Sequence, residues 1–179
     1  MLDNQLIILI IGIINAQKSA AGISTVAVKQ AYQPTKQGAN TQSTAYLFKV
    51  GGRRVGSPSR FDKWDSLLGT MTHTETQAYE TTFQISALAI QDPSNTASKT
   101  ASDILDAIAY ILQSSTTLAT LQENGVGMQR VTDVRNPYFE DDHEQFEASP
   151  SFDFVLTHKQ VVTSVTPVVQ SNEFQILPV

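Results

Sequence analysis

"THTETQAYETTFQISALAI", residues 72–90, decides the fold. It is rich in β-branched and aromatic residues and contains neither Gly nor Pro, so it reads as one long strand. The first half is polar and the second apolar. Such a strand begins outside the domain, where it can pair with a neighbour, and ends in the core.

The segments on either side supply the rest of the core. Downstream, "DPSNTAS" is a turn with cap residues, and "ASDILDAIAYIL" places Ile104, Ala107, Ile108, Ile111 and Leu112 at helical spacing, with Ser98 or Ser102 as cap. A second short helix, "TTLATLQEN", stops at Gly125. "GMQRVTDVR" is a strand, and "SFDFVLTHKQVVTSV" is another, with Phe152, Phe154 and Leu156 alternating against Asp153 and Thr157. Upstream, "STVAVKQAYQ" reads as a half-buried strand ending at Pro34, and "PTKQGANTQST" as an exposed loop or hairpin tip. "AYLFKV" resumes a strand with Tyr46, Phe48 and Val50 on one face, and "GGRRVGSPSRFDKW" carries the densest positive charge. Glycine-punctuated segments of this kind project from a domain more often than they fill it.

"LIILIIGIINA", residues 6–16, is the most apolar stretch. A spanning helix needs about 20 apolar residues, and this run is broken by Asn15, Gln17 and Lys18. The small residues of "AQKSAAG" could mimic a signal cleavage site, but the charge ahead of the apolar core is Asp3, the wrong sign for a secretory leader. No membrane partner is expected. The stretch reads as a helix from Asp3 to Ala20, with Asp3 as N-cap or first-turn acid and Gly22 as the stop. Being apolar nearly all round, it should be buried on more than one face, against the sheet and against another subunit. Ile7, Ile10, Ile11 and Ile14 are the expected interface residues.

With 179 residues, 41% hydrophobic, the chain is one domain with extensions: residues 1–166 with an excursion over about 33–75, then an arm, 167–179. The arm carries Phe174, Ile176 and Leu177 with little of its own to pack against, and is expected to dock on a neighbour. A net charge of -5 disfavours a sequence-reading nucleic-acid binder. The absence of cysteine excludes disulfides, thiolate catalysis and cysteine-ligated zinc. There is no internal repeat, low-complexity tract or heptad run.

Chemistry-bearing motifs are few. "YFEDDHEQFE", residues 138–147, gathers Glu140, Asp141, Asp142, His143, Glu144 and Glu147, but lacks the spacing and glycine of an EF-hand and the second histidine of a metalloprotease. It reads as a solvated acidic loop or a charged contact surface. His73 and His158 are isolated in strand-like sequence and read as satisfied surface groups. Gly51, Gly52 and Gly56 flank Arg53 and Arg54 without either phosphate-loop pattern, so a hairpin with a basic tip is preferred. With Arg60 and Lys63 that tip would meet an acidic partner protein; Trp64 is either an anchor beside Phe61 or a local core residue. No catalytic residue, metal site or cofactor is expected.

The order of elements, with "YETTFQISALAI", "ASDILDAIAYIL" and "LQENGVGMQRVTDVRNPYFEDDHEQFEASPSFDFVLTHKQ", resembles the neck or tail-terminator proteins of contractile-tailed phages, also called gateway or tail-completion proteins. The resemblance runs from about Leu2 to Thr163 and rests on a strand ending in an F-x-I-S-like stretch before a helix, a Gly-terminated segment, a strand ending near V-R-P, an acidic loop and a strand of alternating aromatics. It implies an α/β (α+β) protomer whose mixed or mainly antiparallel sheet is flanked by helices, with a protruding β-hairpin. It further implies a non-enzymatic virion protein, assembled in the host cytoplasm as a homo-hexameric ring. Head-completion or collar proteins would bind above it and tail tube and sheath below, with DNA passing non-specifically through the lumen. An acidic lumen repels DNA, and Glu140, Asp141, Asp142 and Glu144 are placed there. Another head–tail component, such as a head-completion, collar or tube protein, is the alternative, followed by an enzyme or small-ligand binder.

Overall fold

The computed structural model describes residues 2–31, 42–90, 92, 94–140, 146–148 and 150–167, with 138–140 and 146–148 described by backbone alone. Its elements in chain order are α1 (Asp3–Gln17), β1 (Ala27–Gln30), β2 (Thr44–Asp65), β3 (Thr70–Leu88), α2 (Ala101–Gln113), α3 (Ser115–Glu123), β4 (Gly127–Val131), β5 (Tyr138–Glu140), β6 (Phe146–Ala148) and β7 (Ser151–Pro167). β1, β2, β3, β7 and β4 lie in that order in one sheet, and β5 and β6 form a separate pair. Only β1 against β2 is parallel; β2–β3, β3–β7 and β4–β7 are antiparallel, so the expected α+β class with a mixed sheet holds.

The core is a single apolar layer between one face of the sheet and the three helices. On β3, Phe83, Ile85 and Ala87 point inward at period two, and β7 matches them with Phe152, Phe154 and Leu156, all buried. Phe83 stacks on Phe154 with ring centroids 5.6 Å apart. Helix α2 covers this layer with Ile104, Leu105, Ile108, Ile111 and Leu112. Helix α1 contributes Leu6, Ile7, Ile10, Ile13 and Ile14. The polar half of β3 leaves the core, as its composition predicts.

Local chemistry departs from expectation at several ends. α1 stops at Gln17, and turns lead to Gly22 at φ 70. Leu2 is its N-cap, with the Leu2 backbone N–H donating to Gln5 Oε1 at 2.8 Å. Asp3 is therefore the first-turn acid, and it pairs with Lys49 Nζ at 2.7 Å. α2 is capped by Thr100 rather than Ser98 or Ser102: Thr100 Oγ1 accepts from the Asp103 N–H at 3.1 Å and Asp103 Oδ2 accepts from the Thr100 N–H at 2.9 Å. Ser98 instead accepts from the Asp92 N–H in the preceding turn.

One strand reading shortens. The segment over 24–33, read as a half-buried strand, pairs among the described residues at Ala27–Gln30, in parallel with Thr44–Leu47 of β2. In "AYLFKV" Tyr46, Phe48 and Val50 share one face, and the core takes the other: Ala45 and Leu47 are buried, with Thr44 beside them, while Tyr46 and Phe48 are half-buried and Val50 is exposed.

Candidate assembly surface

Beyond the core, β2, β3 and β7 continue together as a three-stranded ribbon. Thr70–Gln77 of β3 pairs with Gln160–Pro167 of β7 on one side and with the distal part of β2 on the other. At about 3.4 Å per residue this places the tip some 30 Å past the helices. The expected two-stranded hairpin thus has a third strand, supplied by the polar and β-branched end of "THKQVVTSV".

Pairing register sorts the ribbon's side chains onto two faces. One face is polar and tied together. Arg60 Nη2 donates to Glu75 Oε1 at 2.6 Å, and this hydrogen bond, then the carboxylate's charge, raises the guanidinium pKa. Nearer the tip His73 bridges all three strands, with Nδ1 2.7 Å from Asp62 Oδ1 and Nε2 2.8 Å from Thr166 Oγ1. An Asp–His–Thr chain has the connectivity of a nucleophile–base relay. Here it lies on a partly exposed sheet face, Asp62 with a side-chain exposure of 46%, without the enclosed site that such chemistry needs. It holds strands together. The opposite face presents Phe61, Val161 and Val165, all more than half exposed, among Thr72, Thr74 and Thr163.

The tip is not basic. Asp65 Oδ1 accepts from the backbone N–H groups of Leu67 and Leu68, at 2.9 and 3.1 Å, and Gly69 closes the turn at φ 60, where a side chain would be strained. Leu67 is 95% exposed and Leu68 74%. Of the expected contact cations, Arg53 is bound to Glu80 at 2.6 Å and Arg60 to Glu75, while Arg54 and Lys63 stand along β2 without an ion pair among the described residues. Gly51, Gly52 and Gly56 belong to a bulged strand, with register breaks at Lys49/Gly51 and Val55/Ser59, rather than to a phosphate loop. Gln77 Nε2 donates to the Val55 and Gly56 carbonyls, at 2.9 and 3.2 Å, and so stitches the second break. Trp64 is 47% exposed, which excludes the core reading, and strand parity puts it on the face opposite Phe61.

The expected interface on α1 divides differently. Ile7, Ile10 and Ile14 are spent on the protomer's own core, while Ile11 is half-buried. The outward stripe is Asn4, Ile8, Ile11 and Asn15, with Ile8 63% exposed. Asp141, Asp142, Glu144, Phe174, Ile176 and Leu177 lie outside the described residues, and Glu140 is described by its backbone alone.

Of the two histidines read as satisfied surface groups, His158 is buried. Its Nε2 meets Thr81 Oγ1 at 3.0 Å, its ring stacks on Tyr79 at 5.7 Å, and its Nδ1 has no partner among the described residues. Burial, the largest cause, holds its pKa below the usual 6.5. The flanking cavity, about 270 Å³, is lined by Asp3, Lys49, Tyr79 and Gln160 among others. Among the described residues no three His, Asp or Glu side chains gather as a metal site, and no single helix is long and apolar enough to cross a membrane.

Sequence reasoning missed Ile8, Leu67 and Leu68. The tip was readable from "DSLLG", an Asp-to-Gly turn between two strands. Ile8 was masked by equally apolar neighbours, because in a helix apolar all round periodicity does not say which side faces in.

No curated protein matches the chain at a significant level. The model of one protein family does, described as E217 gateway protein gp29, and it matches residues 5–168, which takes in all three helices and the ribbon. The chain belongs to this phage gateway family, and its role is that of a structural component of the neck that joins head to tail.

Proposed function

We propose that copies of this chain close into a ring, hexameric as in the arrangement implied by its resemblance to tail terminators, at the neck of a contractile-tailed phage. The ring ends the tail tube and sheath, seats the head-completion or collar proteins on its other side, and leaves a channel for DNA. The observation that carries this reading is the ribbon. Of fifteen large apolar side chains left exposed among the described residues, eight lie on it: Val55, Phe61, Trp64, Leu67, Leu68, Val161, Val162 and Val165. A projection that exposes apolar side chains on both faces gains little as an isolated element, and is explained by contact with other subunits.

Further contacts follow from the same reasoning. Ile8 and Ile11 on the outward stripe of α1 face a neighbouring subunit. Arg54, Lys63 and Trp64 meet an acidic partner along β2. The acidic residues Glu140, Asp141, Asp142 and Glu144 face the lumen, where they and the net charge of -5 discourage DNA from adhering during passage. Mixing the purified protein with growing tail tubes tests the terminator role. Tubes should stop lengthening and carry the protein at one end. Incorporation along the whole tube would assign it to the tube instead.

A further inference from the structure

The ribbon has two outer edges, and they differ in kind. Along β2, where β1 covers only Thr44–Leu47, the edge is interrupted by two register breaks and by Pro58 and is studded with Arg53, Arg54, Arg60 and Lys63. These are the devices that keep an edge strand from recruiting another chain. The edge of β7 has none of them over residues 160–166: β4 reaches no further than Thr157, and the register with β3 runs unbroken to Pro167. The stretch reads QVVTSVTP, dominated by β-branched residues and ending in its one proline. Among the described residues no strand lies against its outer side. An unbroken, uncharged, β-branched edge is a strand acceptor.

The occupant is indicated by where the chain goes next. β7 ends beside Thr70, at the ribbon's tip, so the arm starts there. Phe174 is seven residues past Pro167 and reaches at most about 25 Å from it, whereas Leu156, the last core residue of β7, lies eleven residues back, about 37 Å away along the strand. The arm's aromatic side chain therefore cannot enter its own core. Val168 and Val169 favour continued extension, and residues 168–172 contain no glycine for a tight reversal onto the same edge. Phe174 and Ile176, two apart around Gln175, are patterned as one apolar strand face. The arm also lies almost wholly beyond the residues matched to the gateway family.

We propose that residues 173–177 of one copy's arm add as a β-strand to the β7 edge, residues 160–167, of a second copy, with Phe174 and Ile176 covering Val161 and Val165. This rests on the ring reading only in requiring that copies adjoin, and it names a contact the ring could lack.

The chain has no cysteine, so introduced thiols are the only ones present. Full-length Val162→Cys and Gln175→Cys chains, whose thiols would share one face, one chain mass-labelled, are mixed, assembled and treated with a short bis-maleimide, and cross-links are read by mass spectrometry. The expected result is a cross-link between one labelled and one unlabelled chain. In parallel, Phe174→Ser with Ile176→Ser should raise the concentration needed for assembly at least tenfold, while Tyr110→Ser, at an exposed position of α2 away from the ribbon, should leave it unchanged. Cross-linking confined within a chain carrying both cysteines, when diluted into cysteine-free chain, would overturn the proposal. So would rings forming from the double Ser variant at the wild-type concentration, a result that leaves the ring reading intact. Absence of any assembly by the wild-type chain would instead refute the ring.

Discussion

Replacing Ile10 and Ile8 by alanine, one at a time, removes the same atoms from opposite sides of α1 with opposite expected results. Ile10 is fully buried against the sheet and α2, and Ile8 is 63% exposed. In a packed core, Ile→Ala forfeits transfer energy and leaves a cavity, about 2–5 kcal/mol together. At Ile8 most of the side chain already meets water, and alanine is the better helix former, so the change should stay within about 0.5 kcal/mol. Urea unfolding followed by circular dichroism, at a concentration where the chain is monomeric, separates the two. With a slope of about 2 kcal/mol per molar, Ile10→Ala lowers the midpoint by roughly 1–2.5 M and Ile8→Ala by no more than about 0.25 M. Similar shifts for both would refute the assignment of α1's faces. Assembly should rank them the other way: Ile8→Asp keeps the protomer's midpoint and weakens association, whereas Ile10→Asp unfolds the protomer by burying an unpaired carboxylate.

Three further outcomes are expected. Thr117 is fully buried where α1 meets the α2–α3 junction; its Oγ1 donates to the Ile111 carbonyl at 2.7 Å and accepts from Gln17 Nε2 at 2.8 Å, so Thr117→Val should cost about 1–3 kcal/mol in urea midpoint measurements. Thr100→Ala, which removes the α2 cap, should cost about 1 kcal/mol by the same assay. Because burial depresses the His158 pKa, the unfolded chain binds the proton more tightly than the folded one; stability is full above pH 6.5 and falls as pH drops below it. His158→Gln should flatten that part of the stability–pH curve, and an unchanged slope would show that His158 is not its source.

The fold was legible where pattern and burial coincide. Residues 72–90 carry their own boundary between core and projection, and Phe152, Phe154 and Leu156 alternate cleanly because only one face of β7 is covered. In "AYLFKV" both alternating sets are apolar, Ala45 and Leu47 against Tyr46, Phe48 and Val50, so apolarity alone does not say which face turns inward. The surface was less legible because its charges are spoken for across strands: Arg53 by Glu80 and Arg60 by Glu75, partners 27 and 15 residues away. What looks basic along the sequence is nearly neutral in space. The exposed leucines of the tip become visible only once the strands on both sides are paired.

Position in the particle tests the central claim most directly. A small tag on the chain, gold-labelled and imaged by electron microscopy in intact virions, should give a single cluster where head meets tail. Label spread along the tail, or over the capsid, would contradict the neck assignment.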